Sequence, residues 1–293
     1  MLEDFRHRDV DVDGTRIHAR VAGEGPPVLM LHGYPQTHAM WHRVAPELAR
    51  DHTVVLADLR GYGDSDRPPS QPDHASYSKR ASAADQVGLM RALGHDRFAL
   101  VGHDRGARVA HRLCLDAPEA VSRVALLDVA PTRHVLTHVD RALAQTYEHW
   151  FFLSQAPDLP ERLISADPAY YLRHKLAQWS AGDGLDSFDP EALAEYVRCF
   201  SDPEVVRGSC EDYRAAASVD LEHDEVDAAA GHRVACPTLV LWGADGFVGQ
   251  AYDVLGVWRE YAADVRGQAL PGGHFLAEEQ PGATLAALAD FLD

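Results

Sequence analysis

Polar and apolar residues alternate through "FRHRDVDVDGTRIHARVAG", with the pair Asp13-Gly14 at its centre. That pattern predicts two antiparallel strands joined by a tight turn. "PPVLMLHG", "HTVVLADLRG", "RFALVGHD" and "VSRVALLDVAP" are short, largely apolar runs of the kind that form buried strands. Between them, residues 39–50 predict a helix, and "ARVAHRLCLDAP" keeps a helical period up to Pro118. From about 134 to 215 the pattern is helical and rich in aromatics, with no convincing strand. Strand signals resume at "CPTLVLWGADG", followed by a helix, a short strand running into "LPGGH", and a terminal helix near 282–292. Strands that alternate with helices imply a largely parallel sheet covered on both faces. The core pattern continues after the helical stretch, so 134–215 reads as a helical cap inserted into an α/β core of 1–133 and 216–293. No internal repeat or low-complexity segment interrupts it.

Composition excludes several classes of partner. The 293 residues, 46% hydrophobic and 25% charged, suit a globular protein with a full core. A formal net charge of −18 speaks against nucleic acid or an anionic membrane as a partner. The same charge repels a small anion at long range, so an anionic substrate needs local cations. Cys114, Cys199, Cys210 and Cys236 show neither C-x-x-C spacing nor a ligand pattern with histidine, and read as reduced thiols. The charged start "MLEDFRHRDVDVDG" lacks the apolar stretch of a secretory signal, and no run is long enough to span a bilayer. A soluble cytoplasmic protein is expected, with neither metal nor cofactor.

The chemistry centres on Gly102-His103-Asp104-Arg105-Gly106, a G-x-nucleophile-x-G turn between a predicted strand and a predicted helix. An aspartate there has a competing job as the N-cap of the helix that follows. Two further segments favour catalysis. "LPGGHF" puts His274 directly after the last strand, where such folds keep a base, and "HGYP" (32–35) follows the third strand, where they keep an oxyanion-hole N–H. Asp128, ending "VALLD", and Asp245, in "WGADG", are both candidates for the acid that orients the histidine.

On "HGYPQT", "GHDRGARVAHR", "LLDVAP", "EHWFF" and "GGHF", in this order over most of its length, the chain resembles the α/β-hydrolase superfamily and within it the haloacetate (fluoroacetate) dehalogenases. The resemblance implies a mostly parallel eight-stranded sheet flanked by helices, with a helical cap inserted after strand 6. It implies hydrolysis of a small anionic haloacid and a homodimer. Tyr34 stands where close relatives carry phenylalanine, and Arg105 where relatives acting on neutral haloalkanes or epoxides carry tryptophan.

A carboxylate is ionised at neutral pH and attacks a saturated carbon without a base, so Asp104 suits halide displacement through a covalent ester. His274 would then activate water, oriented by Asp128 (Asp245 as the fallback), with the backbone N–H groups of Tyr34 and Arg105 holding the oxyanion. Arg105 and Arg108, three apart on one helix, match a substrate carboxylate. The resemblance assigns His149, Trp150 and Tyr213 to the halide pocket, with Trp179 as a wall; without it they read as core aromatics of a cap. Two other readings compete. An epoxide hydrolase would need acid tyrosines, for which Tyr147, Tyr170, Tyr171, Tyr196 and Tyr213 are available. A catalytically silent binding protein would need none of this constellation.

Overall fold

The computed structural model describes residues 1–182 and 184–293. Eight strands form one sheet: β1 (Arg6–Val12), β2 (Thr15–Ala22), β3 (Pro27–Leu31), β4 (Thr53–Ala57), β5 (Phe98–His103), β6 (Val121–Leu127), β7 (Thr238–Gly243) and β8 (Val265–Leu270). Their spatial order is β1-β2-β4-β3-β5-β6-β7-β8. The pairs β1/β2 and β2/β4 are antiparallel and all the others parallel. Asp13 at φ 50 and Gly14 at φ 84 supply the left-handed pair that a two-residue hairpin turn requires. Leu29, Val55, Leu100, Leu126 and Val240 are fully buried, as strands covered on both faces demand.

Helices α1 (Ala45–Leu48), α2 (Lys79–Ala92) and α3 (Arg105–Asp116) precede β6. Among the described residues eight more lie between β6 and β7: α4 (Thr132–Thr137), α5 (Arg141–Thr146), α6 (Glu148–Leu153), α7 (Leu159–Ser165), α8 (Pro168–Trp179), α9 (Pro190–Phe200), α10 (Pro203–Ala216) and α11 (Val219–Ala230). The chain closes with α12 (Phe247–Ala251), α13 (Val254–Tyr261), α14 (Leu276–Glu279) and α15 (Pro281–Leu292). Among the described residues no strand falls between Leu127 and Ala230, and no helix is long and apolar enough to cross a membrane.

Two departures from the sequence reading have physical causes. Residues 39–50, expected as one helix, form a 3-10 turn at His38–Trp41 and then the single turn α1. Pro46 lacks an N–H and disfavours a helical residue before it, so the helix cannot run through. Helix α2 has no clear apolar stripe, because Lys79, Ser82, Asp85 and Gln86 are buried beside Val87, Leu89 and Met90. Its inward face is held by polar partners, a pattern that hydrophobic periodicity does not reveal.

The architecture brings four loops to one edge. Tyr34 follows β3, Asp104 follows β5, Asp128 follows β6 and His274 follows β8, all at the carboxyl ends of parallel strands. Helices α6 and α10 pack on each other and bring His149, Trp150, Asp212 and Tyr213 to the start of α3.

Candidate active site

The strand-to-helix turn after β5 is tight enough to need both of its glycines. A Cβ on Gly106 would stand 2.4 Å from the His32 carbonyl oxygen, and one on Gly102 would stand 2.6 Å from that of Gly106. Asp104 itself sits at φ 47, ψ −111, a backbone conformation rare outside glycine and typical of strained functional positions. Its side chain makes no capping bond to α3, so the N-cap alternative fails. Instead Oδ1 accepts the Tyr34 N–H at 2.9 Å, across a loop whose Tyr34-Pro35 peptide is cis. The Arg105 N–H opens α3, where a first-turn donor has no helical acceptor. One carboxylate oxygen is therefore anchored where negative charge would develop in ester hydrolysis, and the other is uncommitted.

The two candidate acids separate cleanly. Asp128, also at positive φ (47), places Oδ2 2.6 Å from His274 Nδ1, while its Oδ1 accepts the Gly243 N–H at 2.9 Å. Asp245 is exposed and accepts the Gly272 N–H at 3.2 Å, a turn-holding role. The fallback to Asp245 is thus corrected: it braces the loop before His274 and does not touch the imidazole. His103, inside the nucleophile turn, hydrogen-bonds the His274 carbonyl oxygen through Nε2 at 2.8 Å.

The two arginines are both buried but unequally committed. Arg105 donates from Nε to Asp212 Oδ2 at 2.6 Å and from Nη2 to the Asp212 carbonyl oxygen at 2.9 Å, leaving only Nη1 without a partner. Arg108 donates from Nη1 to the Ala130 carbonyl oxygen and to Thr132 Oγ1, and its Nε has no partner. Among the described residues no carboxylate lies within ion-pair distance of Arg108. The guanidinium groups of Arg108 and Arg105 lie 4.4 and 5.5 Å from the centre of the Trp150 ring, and that of Arg105 lies 4.1 Å from Tyr213. A free pair of bidentate clamps is therefore not what the chain builds. Arg105 is a half-occupied cation, and Arg108 a buried cation in ion-pair contact with no carboxylate among the described residues.

Above them sits a wall of rings. The rings of His149 and Tyr34 are parallel with centroids 6.2 Å apart; Trp179 meets His149 at 4.4 Å and His274 at 5.9 Å; Tyr213 meets Tyr34 and His149 at 5.4 Å each. His149 Nδ1, Trp179 Nε1 and Tyr213 OH are buried with no hydrogen-bond partner. Natural cores rarely leave such groups unmet, and these three stand on adjoining rings of one wall.

Electrostatics follow from this crowding. Burial works against an ionised Asp104, but positive charge on His274 and His103 and on both arginines outweighs it and holds the pKa down at about 2. Burial also pulls His274 down, and the bonded Asp128 carboxylate, aided by Asp104, reverses this and raises it above the ordinary 6.5. Burial leaves His149 well below that value, hence a neutral ring whose N–H is a donor.

Asp212 escaped the sequence reading. It accepts from Arg105, from Tyr62 OH at 2.8 Å and from Lys79, and so fastens α10 to the nucleophile turn. Its neighbour Tyr213 was singled out in "CEDYRAA", but an ion pair spanning more than a hundred residues leaves no mark on local spacing.

Fold and site together define an α/β hydrolase with a carboxylate at the nucleophile position. A model of the alpha/beta hydrolase fold family matches residues 26–281. A fluoroacetate dehalogenase from Burkholderia sp is 48% identical over 292 residues, covering 100% of this chain and 95% of that protein. A soluble epoxide hydrolase from Corynebacterium sp. (strain C12) is 34% identical, covering 96% and 95%. The crystal structure of "a putative alpha/beta hydrolase" from Nostoc sp PCC 7120 superposes with a TM-score of 0.97 at 55% identity, covering 100% of this chain and 99% of that one. The chain belongs to the haloacetate dehalogenase family of α/β hydrolases.

Proposed function

We propose that the protein hydrolyses a small 2-haloacid, a haloacetate such as fluoroacetate, to the 2-hydroxy acid and halide. The observation that carries this reading is the buried Arg108, a cation with no carboxylate of the described residues within ion-pair distance, beside the nucleophile turn. A substrate carboxylate is the anion it lacks, and Arg105 Nη1 offers a further donor.

Two displacement steps follow from the geometry. With the substrate carboxylate on the arginines, Asp104 Oδ2 attacks the halogen-bearing carbon; a C–O bond forms and the halide leaves with the C–X electron pair. His149, Trp150 and Tyr213 donate to the departing halide, and Trp179 walls the pocket. His274, its Nδ1–H held by Asp128, then takes a proton from water through Nε2 while the water oxygen attacks Asp104 Cγ. The negative charge collects on Oδ1, which the Tyr34 N–H already meets and the Arg105 N–H completes. Collapse expels the hydroxy acid, whose alkoxide takes the proton from His274, and leaves the water oxygen in Asp104, which releases the second water proton to solvent and is ionised again. No metal or cofactor enters either step. In this reading 134–215 acts as a cap on a core of 1–133 and 216–293.

Halide and glycolate release from fluoro-, chloro- and bromoacetate, run beside styrene oxide, tests the proposal. Turnover of haloacetates is expected, and inactivity towards all three overturns it. Epoxide hydrolysis is the second reading, supported by the unpartnered Tyr213 hydroxyl. It is disfavoured because a neutral epoxide leaves Arg108 uncompensated. Of the other tyrosines named for that role, Tyr170 is exposed and Tyr196 is spent on Glu278 at 2.5 Å. A cytoplasmic homodimer completes the proposal; Leu159, Leu163 and Tyr170 are exposed apolar groups for it to cover, and light scattering reads the mass.

A further inference from the structure

The backbone around His274 is pinned on both sides by one carboxylate. The Gly273 N–H donates to Glu279 Oε2 at 2.9 Å, and the Phe275 N–H donates to Glu279 Oε1 at 2.9 Å. Between them the His274 N–H donates to the Trp179 carbonyl oxygen at 3.0 Å, and the His274 carbonyl oxygen meets His103 Nε2 at 2.8 Å. Glu279 Oε2 also accepts the Ala181 N–H at 2.9 Å, so the same group reaches the segment that leaves α8. That approach is close. A Cβ on Gly273 would stand 2.5 Å from the Ala181 nitrogen and 2.7 Å from the Trp179 carbonyl oxygen.

Capping of the short helix α14 accounts for only one of these bonds. Phe275 is the N-cap of α14, whereas Gly273 and Ala181 lie outside it. Both oxygens of Glu279 are spent on backbone N–H groups, and an ionised acceptor makes such bonds short and strong.

An imidazole is aimed by two anchors, its ring nitrogen and its Cα. Asp128 holds the first at Nδ1. Glu279 holds the second through the residues on either side. Nε2, which takes the proton from water in the second step, is the free end, so a displaced Cα moves it. Asp104, the Tyr34 N–H and the two arginines stand on the loops after β3 and β5 and on α3, and the hydrogen bonds of Glu279 go to none of them.

We propose that Glu279 is a positioning residue for hydrolysis of the Asp104 ester, holding the His274 backbone against segment 179–181 and taking no part in halide displacement. The inference rests on the two-step mechanism proposed above.

Glu279→Gln keeps the size of the side chain, removes its charge and turns an amide NH2 towards backbone donors. The test follows chloroacetate turnover together with the fraction of chains carrying a carboxymethyl ester at Asp104, read by acid quench and mass spectrometry. At saturating substrate, kcat divided by that fraction is the rate constant for ester hydrolysis, and the ratio does not depend on how much of the sample is folded. It should fall about tenfold to a hundredfold in the variant. kcat/KM reports steps only as far as departure of the halide, and per folded chain it should stay within about threefold of the wild type. Glu279→Asp keeps the charge on a shorter side chain; it should show the same split at smaller size, and it serves if the glutamine variant does not fold. An unchanged hydrolysis constant, or a loss of kcat/KM as large as the loss in that constant, overturns the proposal. A wild type that turns over chloroacetate without an ester at Asp104 overturns the two-step mechanism and this inference with it.

Discussion

The two sides of the pocket are built by opposite rules. On the sheet side the reactive groups are already held: Asp104 Oδ1 by Tyr34 N–H, His274 Nδ1 by Asp128, and Asp128 Oδ1 by Gly243 N–H. On the helical side His149 Nδ1, Trp179 Nε1 and Tyr213 OH lack partners. Preorganised bonds aimed at developing charge spare reorganisation during reaction, while unmet buried donors cost stability until a ligand meets them. In the proposed reading, the bond-making steps fall to the strand ends and the choice of substrate to the helices. Arg108 sits at the seam, fixed by core oxygens yet lacking an anion.

Removing the support on the sheet side should hurt most. Asp128→Asn should lower kcat by about 10³–10⁴-fold through loss of imidazole orientation. It should also move the pH profile. His274 works as a base only when neutral, and Asp128 raises its pKa, so wild-type kcat should fall as pH drops through a value above 6.5. Asp104, at about 2, stays ionised throughout that range. In Asp128→Asn the acid limb should shift to lower pH; an unmoved limb would mean that His274 is not the titrating base. Arg108→Met should cost about a hundredfold in kcat/KM, mostly as a raised KM for haloacetate. Equal turnover by this variant would remove Arg108 from substrate binding.

Changes to the helical wall should be smaller and should discriminate between halides. Tyr213→Phe removes one unmet donor and should lower kcat for fluoroacetate about tenfold to a hundredfold, and for bromoacetate less, since fluoride's localised charge depends most on donors. Equal losses for both halides would place Tyr213 outside the halide contact. Asp245→Asn should change kcat less than about twofold, because an exposed turn residue lies outside the steps that hydrolyse the ester.

Local sequence carried the elements whose cause is local. "GHDRG" and "HGYP" each follow an apolar strand run, and "LPGGH" closes the polar edge strand β8, so the loops carrying Asp104, Tyr34 and His274 were legible. The choice between Asp128 and Asp245 was not local. Both follow a strand, and what separates them is the His274 ring, brought from β8 to Asp128 Oδ2 while Asp245 holds the Gly272 N–H. Asp212 was invisible for the same reason, since its meaning lies in Arg105 and Lys79 on other elements. Pro46 within 39–50 is a local signal for the break that splits the expected helix. Arg108's lack of an anion is a property of packing, and no spacing rule contains it.

The central claim is a covalent ester on Asp104 that His274 hydrolyses. His274→Asn should still allow attack by Asp104, whose charge needs no base, and should block the second step. Mass spectrometry of this variant after exposure to chloroacetate should therefore show one carboxymethyl group per chain, mapped to the peptide containing Asp104, with a single equivalent of chloride released. Absence of that adduct, under conditions where the wild type turns chloroacetate over, would contradict the two-step account.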